Sequence, residues 1–156
     1  MTTPPDCYTC AGNADTSRLP PRELIAADDL WRVAHAFGSA LPGWLVLIPR
    51  RHVTSIAALT DAEAAALGTW QVRISRALQQ VTGCEKTYVA QFAEAAGFAH
   101  VHFHIVPRPA DLTRELRGPR VFGLLGVPDG QQVADDRMDE IARELTAVLG
   151  RPEMGP

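Results

Sequence analysis

Hydrophobic and polar positions alternate along this chain in a way that predicts four strands and two long helices. Residues 30–37 and 44–48 read as strands. The second is a continuous apolar run, Trp44-Leu45-Val46-Leu47-Ile48, bounded by Gly43 and Pro49, as a buried strand should be. Thr60-Asp61-Ala62-Glu63 has the form of a capping box, in which a hydroxyl and a carboxylate satisfy each other's backbone amides. Behind it Leu67, Trp70, Ile74, Leu78 and Val81 recur in steps of three and four, which predicts a helix to about Val81, stopped by Gly83. Residues 87–92 and 100–106 read as two further strands, the last ended by Pro107. Residues 108–130 are rich in Arg, Gly and Pro and are expected to be loops with at most one strand. A second helix is expected over 135–149, with Met138, Ile141, Leu145 and Val148 on one side. One long helix over an antiparallel sheet is the natural way to bury these faces. The expected class is therefore α+β, with about five strands, one long helix and a C-terminal helix. The expected organisation is an N-terminal arm (1–28), a core (29–110) and a C-terminal loop and helix (111–156), together one structural domain.

Composition narrows the function. A formal charge of −3 disfavours a broad basic surface, so polymeric nucleic acid is not an expected partner. No apolar run approaches the ~20 residues that cross a bilayer. The start Met1-Thr2-Thr3-Pro4-Pro5-Asp6 is unlike a secretion signal, so the expected address is the cytoplasm. Three cysteines, Cys7, Cys10 and Cys84, argue against a disulfide framework. Cys7-x-x-Cys10 calls for a metal or redox reading, and Cys84 for a small buried residue.

Five histidines are present, and three of them alternate in His100-Val101-His102-Phe103-His104. Successive side chains of a strand point to opposite faces, which puts the three imidazoles on one face, their stems ~6–7 Å apart, and Val101, Phe103 and Ile105 on the other. Neutral imidazole is nucleophilic near pH 7 and its cation is an acid, so such a row suits phosphoryl chemistry. The competing readings are an exposed strand that happens to carry histidine, or a metal site alone. His35, inside a strand, reads as a structural histidine.

The stretch from His100 to Arg108 resembles the His-φ-His-φ-His-φ-φ signature (φ apolar) of the histidine-triad family. Residues 42–52, a glycine-led strand running to Ile48-Pro49 and His52, are similar to a second segment of that family. The resemblance covers about residues 7–110. It implies a nucleotide hydrolase in which His102 attacks an α-phosphorus to give a nucleotidyl-histidine, His104 contacts phosphate and assists the leaving group, and His100 orients the others. It implies small-molecule nucleotide substrates, dinucleoside polyphosphates or nucleoside phosphoramidates, and a homodimer. Some relatives are nucleotidyltransferases, and a non-catalytic nucleotide-binding or signalling module, or a zinc-stabilised interaction domain, are the alternatives on the same fold. In bacterial relatives a Cys-x-x-Cys joins two histidines around zinc, which implies the ligand set Cys7, Cys10, His52 and His100.

Three departures from the family pattern stand out. Trp44 replaces the histidine that usually follows the glycine. Ala95-Ala96-Gly97 replaces Gly-Gln-Ser/Thr, leaving the Gly97 backbone amide for phosphate. The acid that usually holds the ribose is missing near Ala36-Phe37. Gln91 and Arg108 are the expected substitutes as phosphate contacts, with Arg114, Arg117 and Arg120 as further candidates for a clamp.

Overall fold

The computed structural model describes residues 4–150; the outer ends of the expected arm (1–3) and of the expected C-terminal segment (151–156) lie outside the described residues. The elements are α1 (Tyr8–Ala14), β1 (Ala26–Ala27), β2 (Trp31–His35), β3 (Leu45–Pro49), α2 (Asp61–Thr82), β4 (Lys86–Gln91), β5 (Phe103–Arg108) and α3 (Asp135–Leu149). The strands form one antiparallel sheet in the order β1-β2-β3-β5-β4. This is the expected α+β class.

Alternation decides the packing. Trp31 and Val33 of β2, Leu45 and Leu47 of β3, and Phe103 and Ile105 of β5 join Trp70, Ile74 and Leu78 of α2 and Ile141, Ala142 and Leu145 of α3 in one buried cluster. The opposite face is not solvated, as a sheet with a single core face would be. It carries a second, smaller cluster of Ala36, Leu41, Trp44, Val106, Leu112 and Val121. Every residue of β2 and of β5 is consequently buried.

Three expectations need correction. The arm is not extended, because Cys7 caps α1: its sulfur accepts the Cys10 amide at 3.4 Å. Pro4 and Pro5 precede that helix, where a missing N–H breaks no ladder. The fifth strand lies at Ala26–Ala27, where two alanines give no alternation to read, whereas Arg114–Leu116, Gly118–Leu124 and Asp129–Gln131 are short 3-10 turns. The last strand runs from Phe103 to Arg108 rather than over 100–106. Its pairing with β3 covers only Phe103 to Ile105, and Pro107 lies past that segment, so its absent donor costs no bond to β3. At the other end, the Val101 amide turns instead to the Val53 carbonyl at 2.8 Å.

The capping box of α2 forms as expected, with Glu63 N–H to Thr60 Oγ1 at 3.1 Å and Thr60 N–H to Glu63 Oε2 at 2.7 Å. The same carboxylate takes two hydrogen bonds from Arg51, at 3.1 and 2.8 Å, and so ties the helix start to the segment carrying His52. The Arg51 hydrogen bonds hold the Glu63 carboxyl below its usual range against the opposing cost of burial. A lowered folded pKa stabilises above the unfolded value, and that stabilisation disappears as pH falls through the folded one. Glu63→Ala is expected to cost about 2 kcal/mol, from a lost cap and a lost charged pair. Denaturant titrations should show the deficit at pH 7 and a smaller one at the acid end.

Candidate functional site

The three alternating histidines do not act as one row. Because the ladder to β3 ends at Phe103, His100 sits before the strand and swings to its own neighbours. Its Nε2 donates to the Pro49 carbonyl at 2.9 Å, which leaves Nδ1 bare and facing the sulfurs of Cys7 (3.6 Å) and Cys10 (3.5 Å). His52 Nδ1 lies 3.2 Å from Cys10 Sγ, and the His52 and His100 rings meet edge to face at 5.0 Å. One donor atom from each of Cys7, Cys10, His52 and His100 falls within 4.8 Å of all the others, so this cluster can hold a metal ion. Tetrahedral zinc bonds of ~2.3 Å to sulfur and ~2.0 Å to nitrogen place such donors about 3.5 Å apart, close to the spacings seen. Without a cation the cluster is poorly compensated. Burial, and then the hydrogen bond from Cys7, push the Cys10 thiol up to about 12, and burial pushes His100 down to about 4.

His102 stays on the cavity side. Its Nδ1 approaches the His100 carbonyl at 2.9 Å, so Nδ1 carries the proton and the lone pair lies on Nε2. The contact that His100 makes with His102 is through its backbone oxygen and not through its ring. His104 lies against His102 with ring centroids 4.9 Å apart, and burial pushes its pKa down to about 4, with the His102 charge adding to the effect. His102 and His104 open on a cavity of about 520 Å³, which His100 does not line.

The walls of that cavity come from segments remote in sequence. Tyr8 of α1, Phe37 after β2 and Phe98 before β5 meet pairwise at 5.5 to 5.8 Å between centroids. Phe122 packs against both Trp44 and His104 at 5.1 Å. Arg32, in the middle of β2, also lines it. Only 2% exposed, its guanidinium donates to Asn13 Oδ1 at 2.8 Å and to the Glu23 carbonyl at 2.5 Å. The Glu23 carboxylate accepts from Tyr8 at 2.7 Å, and burial together with this carboxylate pushes the phenol up to about 12. Sequence reasoning missed Arg32 and Glu23. A charge in the middle of an apolar strand, Trp31-Arg32-Val33, was the available signal for the first; for the second there was none.

The expected phosphate contacts fare differently. The β4–β5 register sets Gln91 opposite Phe103 and Ala90 opposite His104, which puts Gln91 on the core side of the sheet and outside the cavity lining. Arg108 shares the face of His104 but lies at the far end of β5, ion-paired to Glu85 at 2.6 Å and outside the cavity lining. Gly97 adopts φ +81° in the loop, and its neighbours Ala95 and Phe98, not Gly97 itself, line the cavity. Arg117 donates to the Leu112 and Ala110 carbonyls, and Arg120 to the Arg114 carbonyl of the preceding turn. His35 is structural as expected: buried, it donates from Nδ1 to the Ala36 carbonyl at 2.7 Å and accepts the Gly43 amide on Nε2 at 2.9 Å. Cys84 is buried in the main core.

The sequence profile of the HIT domain matches residues 18–111, more than half of the chain. No curated protein sequence matches. The fold is similar to that of a zinc-bound histidine triad family protein from Mycobacterium smegmatis (TM-score 0.65, 21% identity, 93% of this chain and 94% of that one). It is also similar to a histidine triad protein from Bradyrhizobium japonicum (0.65, 25%, 80% and 88%). A third similar structure is a hypothetical histidine triad nucleotide-binding protein from Sulfolobus tokodaii (0.69, 12%, 92% and 92%).

If the four-donor cluster holds its ion as arranged, Cys7→Ser removes a thiolate ligand and metal content by elemental analysis falls several-fold. Unfolding temperature should fall with it, and a chelator should reproduce both effects on the unsubstituted chain. Unchanged metal content in Cys7→Ser would remove that residue from the ligand set.

Proposed function

The chain belongs to the histidine-triad family, and from that premise we propose that it hydrolyses nucleotide derivatives at the α-phosphate through His102. The observation that carries the reading is the tautomer of His102. With Nδ1–H committed to the His100 carbonyl, the ring offers a neutral nucleophilic Nε2 beside the cavity, needing no further base. In-line attack forms the Nε2–P bond and breaks the bond from phosphorus to the leaving group. Water then attacks the same phosphorus, the Nε2–P bond breaks and its electron pair returns to His102, and the mononucleotide leaves as a proton of the water passes to solvent. His104 contributes a hydrogen bond to a phosphate oxygen, and the His100 carbonyl fixes the nucleophile. The aromatic walls at Phe37 and Phe98 suit a flat base, and Glu23 and Glu94 are the carboxylates lining the cavity that could take a sugar hydroxyl, with Ala36 at the end of β2. The family resemblance adds the Gly97 amide, next to the cavity-lining Phe98, as a phosphate contact.

Zinc is the proposed ion of the Cys7, Cys10, His52 and His100 cluster, on the chemistry of a two-sulfur, two-nitrogen donor set. Bound there, it supplies positive charge for two buried thiolates and pins α1 to the loop that leads into β5. The family reading further proposes a homodimer, with β4 at the open edge of the sheet leaving Val89 exposed. It also proposes a cytoplasmic address. No helix among the described residues is long and apolar enough to cross a membrane.

His102→Ala is expected to lower kcat/KM for mononucleotide release by ~10³ or more across a panel of dinucleoside polyphosphates and nucleoside phosphoramidates, with unfolding temperature little changed. Full activity in that variant refutes the assignment. Tight nucleotide binding without turnover in the unsubstituted chain favours the binding-module alternative.

A further inference from the structure

Trp44 stands where the family pattern has a titratable histidine, and its contact with His104 has a chemical consequence. The indole Nε1 donates to His104 Nδ1 at 3.0 Å, with the two rings edge to face at 88°. Indole nitrogen is a donor only. His104 Nδ1 must therefore be the bare nitrogen, and the ring proton must sit on Nε2. The contact is rigid. Trp44 is fully buried, braced by Phe122 at 5.1 Å, and enters its strand from Gly43, whose φ of +85° and His35-bound amide fix the turn.

From this geometry we propose that Trp44 is a positioning residue that locks His104 as a neutral Nε2–H donor and so restricts the site to phosphoanhydrides, excluding phosphoramidates. The inference rests on the hydrolase reading above. A cationic His104 would need a proton on Nδ1, where it would face the indole N–H donor to donor. His102 is the one titratable ring in contact with His104 among the described residues. Trp44, Phe122, Val46 and Ala90, which face it from the other elements packed against it, carry no charge. Burial of the ring acts in the same direction.

The two substrate classes differ in their proton balance. When His102 attacks an anhydride, the P–O bond breaks and the electron pair leaves on a phosphate oxygen as a stable anion, for which a neutral N–H hydrogen bond suffices. When it attacks a phosphoramidate, the pair leaves on nitrogen, and the amine must receive a proton as the P–N bond breaks. A neutral imidazole cannot give up its Nε2 proton without becoming an imidazolate. The proton would have to come from an imidazolium, the state Trp44 opposes.

The test pairs kinetics with spectroscopy. An adenylyl anhydride and an adenylyl phosphoramidate of a primary amine are compared from pH 6 to 8, and the ring nitrogens of His104 are assigned by 15N NMR. The expected result is kcat/KM at least ~10²-fold higher for the anhydride, with Nδ1 unprotonated and Nε2 protonated throughout. Trp44→His is expected to shrink that ratio about tenfold or more, and to make the phosphoramidate rate rise toward acid. Trp44→Phe should abolish the single tautomer. Equal turnover of the two substrates, an unchanged ratio in Trp44→His, or a protonated Nδ1 at pH 7 overturns the proposal. Should the buried Trp44→His fail to fold, the substrate ratio and NMR spectrum of the unsubstituted chain decide alone. Turnover of neither substrate refutes the hydrolase reading and the selectivity with it. A retained Nε2–H tautomer in that case still upholds the Trp44–His104 contact.

Discussion

The hydrogen bond from His102 Nδ1 to the carbonyl of His100 joins the two halves of this molecule's chemistry. On one side of it, the His100 ring is consumed by the Pro49 carbonyl and the two cysteine sulfurs. On the other, His102 and His104 face the cavity. The backbone between them is held because Val101 and Phe103 are locked into the main core while the Val101 amide is held by Val53. A shift of one residue in this segment would turn the imidazoles into the apolar core and the core residues out to the cavity. Core packing and nucleophile geometry are therefore enforced by the same residues.

The N-terminal segment matters to the cavity as much as to the cysteine cluster. Helix α1 carries Cys10 on one side and Tyr8 on another; Tyr8 reaches Phe37, Phe98 and Glu23. Asn13, at the end of the same helix, accepts from Arg32 and donates to the Pro49 and Arg50 carbonyls beside His52. Anchoring this helix through its cysteines thus also sets the aromatic and charged end of the cavity, opposite the imidazoles.

Much of this was legible in the sequence, and for identifiable reasons. The capping box at Thr60, the period of α2 and the apolar alternation of Val101, Phe103 and Ile105 are local signals, and local signals survive folding. The four donors of the cysteine–histidine cluster were named from residue type and family resemblance, and they converge. What local pattern could not give was register. The β4–β5 pairing that sets Gln91 beside Phe103, and the ion pair of Arg108 with Glu85, are not readable from either segment alone. Nor could it give the contacts between distant segments that build the cavity: Arg32 with Glu23, Tyr8 with Phe98, Trp44 with His104. Trp44 was noticed as a departure, but its donation to His104 is a tertiary fact.

The central claim is that His102, which lines the cavity with its Nδ1–H committed to the His100 carbonyl, is the nucleophile through its free Nε2. Rapid quenching of a turnover reaction with an adenylyl substrate, followed by peptide mass spectrometry under conditions that preserve phosphoramidates, tests it most directly. The account predicts an adenylyl adduct on His102, present during turnover and gone once substrate is spent. An adduct on His104 or His35, or steady turnover with no protein-bound nucleotide at any time, would contradict it.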